Sequence, residues 1–181
     1  MPGMDIRCIA LVLLLVSAGV AARAEDWPQF RGPTGQGHSS ERGLPLEWGD
    51  SRNVLWKTPV PGRGWSSPVV AGGRVWLTTS VRDRGAPLTP SPLLVGDELY
   101  LINDAGIASC LDVATGKTRW VERLGGEYSA SPVFADGRIY FQSEEGVTTV
   151  IAPGTVFHRL ATNTLDGQTL ASIAVSAGSI F

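Results

Sequence analysis

Ser131-Pro132-Val133-Phe134-Ala135-Asp136-Gly137-Arg138-Ile139-Tyr140 decides the fold. It reads as a short apolar strand, an Asp-Gly pair suited to a two-residue hairpin turn, and a returning strand with an aromatic nine residues after the serine. Residues 67–76, 91–100 and 172–181 repeat the plan, each opening on serine and closing on Trp76, Tyr100 or Phe181. A tryptophan precedes the motif: Trp56 lies eleven residues before Ser67 and Trp120 eleven before Ser131, while Leu160 stands in that place twelve before Ser172. Residues 107–113 and 118–124 read as two more strands joined by a turn at 114–117. The unit therefore has four strands. Serine spacings of 131 − 91 = 40 and 172 − 131 = 41 match the roughly 40 to 50 residue, four-stranded blade of a β-propeller.

The first spacing, 91 − 67 = 24, is short by about two strands. Residues 81–88 form an irregular junction with neither an aromatic nor a strand pattern. Either the chain has a rudimentary blade there, or a deletion has joined two parts of a longer repeat array; the deletion is the expectation. The end at Phe181, inside a strand of the repeat, is what a truncated array would give. The expected fold is all-β: a partial propeller of four-stranded antiparallel blades, about three of them, with the ring not closed. The expected order is a first partial blade at 54–80, the junction, and blade repeats at 89–181.

Composition agrees with this. Hydrophobic residues are 43% and charged residues 18%, so a packed core forms, and 22 glycines with 12 prolines imply many turns. Of fifteen Lys plus Arg, only Lys57 and Lys117 are lysines, and the arginines scatter from Arg7 to Arg159. With a net charge of −2 and no basic face, nucleic acid is not an expected partner. Residues 1–24 read as a signal peptide: Arg7, an apolar run at 8–20, then small residues around Ala22-Arg23-Ala24. That run is too short to span a bilayer, which needs about 20 residues, so no membrane span is expected after leader removal. Cleavage after Ala24 leaves an exported chain, periplasmic or extracellular, starting with an extended segment at 25–53. Its one cysteine, Cys110, has no partner for an internal disulfide.

Leu111-Asp112-Val113-Ala114-Thr115-Gly116-Lys117-Thr118-Arg119-Trp120 resembles the blade signature of pyrroloquinoline quinone (PQQ) binding-like propellers, the superfamily of quinoprotein alcohol dehydrogenases and the outer-membrane assembly factor propeller. Residues 26–37 look like the opening of many exported members, and 53–57 like their first tryptophan strand. The resemblance implies packing roles for Trp56 and Trp120 between blades, supported by the turn of Asp112, Thr115 and Gly116. It also implies what a quinone enzyme would need: a pair of adjacent cysteines, a calcium site and an Asp base. Cys110 lies between Ser109 and Leu111, so no such pair exists; no cofactor, metal or catalytic residue is assigned, with PQQ kept as the alternative cofactor.

Other motifs lead elsewhere. Ala114-Thr115-Gly116-Lys117-Thr118 mimics the end of a phosphate loop, but Leu111 stands where that loop needs glycine. His38 and His158 have no His or Cys at metal-ligand spacing. Glu144-Glu145 reads as a solvated turn, with a cation or partner contact as the alternative. Residues 62–65 and 125–128 precede two of the Ser-Pro strands and offer Trp65 and Tyr128 as candidate partner contacts; packing between blades is the alternative at each. The leading function is a non-catalytic binding scaffold in the cell envelope, with an envelope protein or polymer as partner. A PQQ-dependent alcohol or sugar oxidoreductase, and a nonfunctional fragment associating through open strand edges, are the alternatives.

Overall fold

The computed structural model describes residues 25–81, 89–176 and 178–181. The expected leader at 1–24 and nearly all of the junction at 81–88 lie outside them. The described residues form twelve strands in order: β1 (Val69–Ala71), β2 (Arg74–Trp76), β3 (Leu93–Val95), β4 (Glu98–Ile102), β5 (Ile107–Asp112), β6 (Thr118–Arg123), β7 (Val133–Ala135), β8 (Arg138–Gln142), β9 (Val147–Ala152), β10 (His158–Thr164), β11 (Val175–Ser176) and β12 (Ser179–Ile180). No helix occurs among the described residues. β3 to β6 and β7 to β10 form two four-stranded antiparallel meanders, flanked by the lone hairpins β1–β2 and β11–β12. The fold is an all-β partial propeller, and among the described residues no strand joins its two terminal hairpins.

Turn chemistry fixes each hairpin. Asp136 and Gly137 have φ of 48° and 70°, and Gly72 and Gly73 have 54° and 73°, the paired positive values of a type I′ hairpin turn. The register then repeats. The residue two after each serine faces the aromatic nine after it: Val69 with Trp76, Leu93 with Tyr100, and Val133 with Tyr140. Ala174 and Phe181 complete the series by exchanging two backbone hydrogen bonds of 3.0 and 2.9 Å.

Successive residues of a strand face opposite ways, so each middle sheet buries both faces. Ile139, Phe141 and Ile151 pack toward Tyr100, Ile102, Ala108 and Cys110 of the preceding sheet. Tyr140 and Val150 pack the other way, with Ile173 at the last hairpin. The outermost strands β6 and β10 are largely exposed.

Each outer strand carries a bulge, and the second corrects an expectation. Cys110 pairs with Trp120 and Leu111 with Thr118, which leaves Arg119 as the extra residue. In the next sheet Val150 pairs with Ala161 and Ile151 with Arg159, so Leu160 is the bulge. Ala161 therefore occupies the place of Trp120, eleven residues before Ser172, and Leu160 does not. The strand expected at 53–57 is also absent: no residue there is paired in a sheet.

The segment after residue 25 runs along the inner strands. Trp27 exchanges two backbone bonds with Val70, Pro28 accepts from Leu94 N–H at 2.8 Å, and buried Gln29 accepts from Phe134 N–H at 3.3 Å through its side-chain oxygen. Three side-by-side elements, β1, β3 and β7, are thereby tied by three consecutive residues.

Candidate functional site

Loop 62–66 is fastened to residues 78–80. Arg63 and Ser80 exchange backbone hydrogen bonds of 2.9 and 2.7 Å. The Ser66 hydroxyl accepts from Thr78 N–H at 3.0 Å and donates to Thr78 C=O at 3.2 Å. Glycine makes this approach feasible: a Cβ at Gly62, where φ is +88°, would lie 2.3 Å from the Ser80 oxygen, and one at Gly64 would lie 2.2 Å from the Thr78 oxygen. The result is an open cleft of about 550 Å³ lined by Arg63, Trp65, Ser66, Leu77, Thr78 and Thr79. Trp65 is 72% exposed beside it. An indole and a guanidinium on a fastened loop suit stacking and hydrogen bonding to a partner surface.

Tyr128, the other candidate contact, is only 1% exposed, so the reading of it as a partner contact is corrected. Its N–H donates to Asp104 C=O at 3.0 Å, which draws its ring into the core between the two four-stranded sheets. Burial raises its phenol pKa.

The landmarks of the blade separate in the same way. Trp120 lies half-buried in β6; its Nε1–H donates to Gly154 C=O at 3.1 Å, and its ring meets Phe157 edge-on at 5.2 Å. Gly154 and Phe157 belong to the following sheet's β9–β10 turn, so Trp120 spans the two sheets. The Tyr100 hydroxyl accepts from Gly154 N–H at 2.7 Å. Trp56 is instead 67% exposed, because no strand forms around it to pack against. Asp112 accepts from both the N–H and hydroxyl of Thr115 at 2.7 Å and pairs with Arg119, the bulge residue. The Thr115 hydroxyl, then its N–H, hold the Asp112 carboxyl below its ordinary pKa. Gly116, with φ 72°, closes that turn by donating to Asp112 C=O at 2.8 Å.

The carboxylates of Glu144 and Glu145 are occupied internally. The Glu145 carboxylate accepts from Glu127 N–H at 3.1 Å, and Glu144 accepts from the Ser129 hydroxyl. Cys110 is fully buried, and desolvation pushes its thiol up to about 11. Among the described residues no three His, Cys, Asp or Glu side chains gather as a metal site. No helix among them is long and apolar enough to cross a membrane.

Sequence reasoning aligned the serines but gave them no role. Ser67 N–H donates to Ser91 Oγ at 2.9 Å, Ser91 N–H to Ser131 Oγ at 3.0 Å, and Ser131 N–H to Ser172 Oγ at 3.0 Å. The signal was the invariant serine at the head of each hairpin.

Residues 76–179, more than half of the chain, match the family described as outer membrane protein assembly factor BamB, which is built of PQQ-like repeats. The chain belongs to this family. Among solved structures, BamB from Moraxella catarrhalis is similar at 18% identity and a TM-score of 0.45, over 65% of this chain and 39% of that one. The chain thus spans well under half of that BamB protein's length. No curated protein matches it.

Proposed function

We propose that the chain is an exported, non-catalytic propeller scaffold of the cell envelope that holds a protein or polymer at the Trp65 cleft. The carrying observation is the fastening of loop 62–66 through Arg63 and Ser80. It presents a large exposed indole on backbone held in place, so little ordering entropy is lost when a partner covers it. Membership of a family described as an outer membrane protein assembly factor supports a protein partner engaged in that assembly. The non-catalytic part is supported by the use of Asp112, Glu144 and Glu145 inside turns, and by a Cys110 thiol that burial holds protonated.

A photoreactive group at position 65 tests the reading in intact cells. A discrete envelope crosslink, weakened when Arg63 is replaced by alanine, is expected; no crosslink, or one indifferent to Arg63, overturns the scaffold reading. Fractionation tests export: a processed chain beginning at Glu25 in the envelope fraction is expected, and a full-length cytoplasmic chain overturns it. Calcium- and PQQ-dependent alcohol oxidation by the purified chain would overturn the non-catalytic part.

A further inference from the structure

The third residue after each serine of the repeat is Val70, Leu94, Phe134 or Val175. The N–H of Val70 donates to Trp27 C=O, that of Leu94 to Pro28 C=O, and that of Phe134 to Gln29 Oε1. Val175 is the fourth of the series. Ala174 exchanges both bonds with Phe181, so Val175 and Ile180 form the non-hydrogen-bonded pair of their hairpin, and the Val175 N–H points away from β12. Among the described residues nothing accepts from it. In both four-stranded sheets the third and fourth strands add beyond the second, so a continuation of β12 by the same rule leaves this inner edge of β11 uncovered.

Phe30 does not serve Val175, because the chain turns back. Arg31, with φ 64°, and Gly32, with φ 79°, reverse its direction, and Gly32 N–H donates to Gln29 C=O at 2.9 Å. The Trp27 ring fixes the turn: a Cβ on Gly32 would lie 2.7 Å from it. A cavity of about 200 Å³ remains between the turn and strands β7 and β11. Phe30, Phe134 and Ile173 give it apolar walls, and it is also lined by Gln29, Arg31 and Val175. Gln29 is 8% exposed, and its Oε1 is committed to Phe134, which leaves Nε2 beside Gly35, another lining residue. Among the described residues Nε2 has no acceptor, yet it is not sealed off, so the cavity reaches it. Arg31 likewise has no carboxylate partner among them, and its guanidinium lies 5.3 Å from the Phe30 ring. No Asp or Glu lines the cavity.

We propose that this cavity binds a carboxylate carried on a small apolar body, either a free acid of amino-acid size or the C-terminus of a peptide. One carboxylate oxygen accepts from Val175 N–H, the position in the series that Trp27, Pro28 and Gln29 fill for the other three. The second oxygen accepts from Gln29 Nε2, and Arg31 supplies the opposite charge. The apolar remainder rests on Phe134 and Ile173. A carboxylate suits the set because it only accepts, and these three groups only donate once Gln29 Oε1 is committed. The cavity shares no lining residue with the Trp65 cleft, so a substitution in one leaves the other intact.

Isothermal titration calorimetry of the purified chain tests this with N-acetylvaline, its neutral amide, and the tripeptide acid acetyl-Gly-Gly-Val. N-acetylvaline is expected to bind and the amide is not. Tighter binding of the tripeptide assigns a peptide C-terminus, and equal or weaker binding assigns a free acid; either result upholds the site. Arg31→Gln weakens N-acetylvaline at least about tenfold, the loss of one charge-assisted hydrogen bond. Arg31 is exposed, so the unliganded variant unfolds at the temperature of the parent chain. Gln29→Glu keeps an acceptor for Phe134 N–H but sets a negative charge against the ligand, and binding is lost. No binding of N-acetylvaline, equal binding of the amide, or unchanged affinity in Arg31→Gln each overturns the proposal.

Discussion

Ser91 donates its backbone N–H to the Oγ of Ser131 at 3.0 Å, and both residues are buried. The bond joins the first residue of one Ser-Pro hairpin to the first residue of the next, forty positions on. A serine suits this place because one small side chain accepts from the preceding blade while its own N–H serves the following one. Proline after it keeps the chain extended at the serine, where the N–H must point sideways.

Replacing Ser131 with alanine leaves the buried Ser91 N–H without its acceptor. A buried donor left unpaired costs about 1 to 3 kcal/mol, so Ser131→Ala lowers the urea midpoint by a clear margin. Among the described residues the Ser67 hydroxyl accepts from no other serine, so the effect of Ser67→Ala stays within about 0.5 kcal/mol. Equal midpoints for the two variants would remove the ladder's role in stability.

Trp120 gives a second test, because its contributions are separable. Trp120→Ala loses the Phe157 contact and the bond to Gly154, and destabilises by about 3 kcal/mol. Trp120→Phe keeps a ring against Phe157 and forfeits chiefly the hydrogen bond, worth about 1 kcal/mol. Thermal unfolding of the pair ranks them; a phenylalanine variant as unstable as the alanine one would mean the bond outweighs the packing.

The sequence made the hairpins legible because their turns are local. Asp136-Gly137 selects its own backbone angles, and alternation then places Val133 opposite Tyr140 without reference to any distant residue. The Asp112–Thr115–Gly116 turn is legible for the same reason. What lay hidden depends on tertiary placement. The path from Val150 to its partner Ala161 is one residue longer than that from Cys110 to Trp120, and spacing alone did not reveal that the bulge falls on Leu160 and leaves Ala161 in register. Tyr128 follows two glycines and reads as a surface loop until its N–H is seen tied to Asp104. Trp56 obeys the eleven-residue rule yet stays exposed, since the rule identifies a position in the repeat and not the strand it would pack on.

Burial of Cys110 and Tyr100 makes stability fall in alkali. Desolvation raises the thiol from 9.0 to about 11 and the phenol from 10.0 to about 12. Both are protonated in either state at neutral pH. Above pH 9 the unfolded chain releases the thiol proton while the folded chain retains it, so unfolding is favoured progressively. The Cys110 contribution is complete below its unfolded pKa and lost as pH rises through the folded value. Urea midpoints therefore drop between pH 9 and 11, less steeply for Cys110→Ala. An unchanged slope in that variant would locate the alkaline sensitivity elsewhere.

Gly64→Ala asks whether the Trp65 cleft works through the fastening of its loop or through the indole alone. The added Cβ would lie 2.2 Å from the Thr78 oxygen, a separation no packing adjustment of side chains relieves because the obstacle is backbone. Loop 62–66 must then lift from residues 78–80, breaking the pair of bonds between Arg63 and Ser80. Trp65 remains in the sequence but loses its fixed direction. If fastening matters, Gly64→Ala reduces partner crosslinking from position 65 about as strongly as Arg63→Ala, since an anchor that must be reordered on binding forfeits about 1 kcal/mol or more. Residues 62–65 are exposed, so the urea midpoint moves less than in Trp120→Ala. Full crosslinking by Gly64→Ala would show that a mobile tryptophan serves as well, and that the two glycines answer to folding alone.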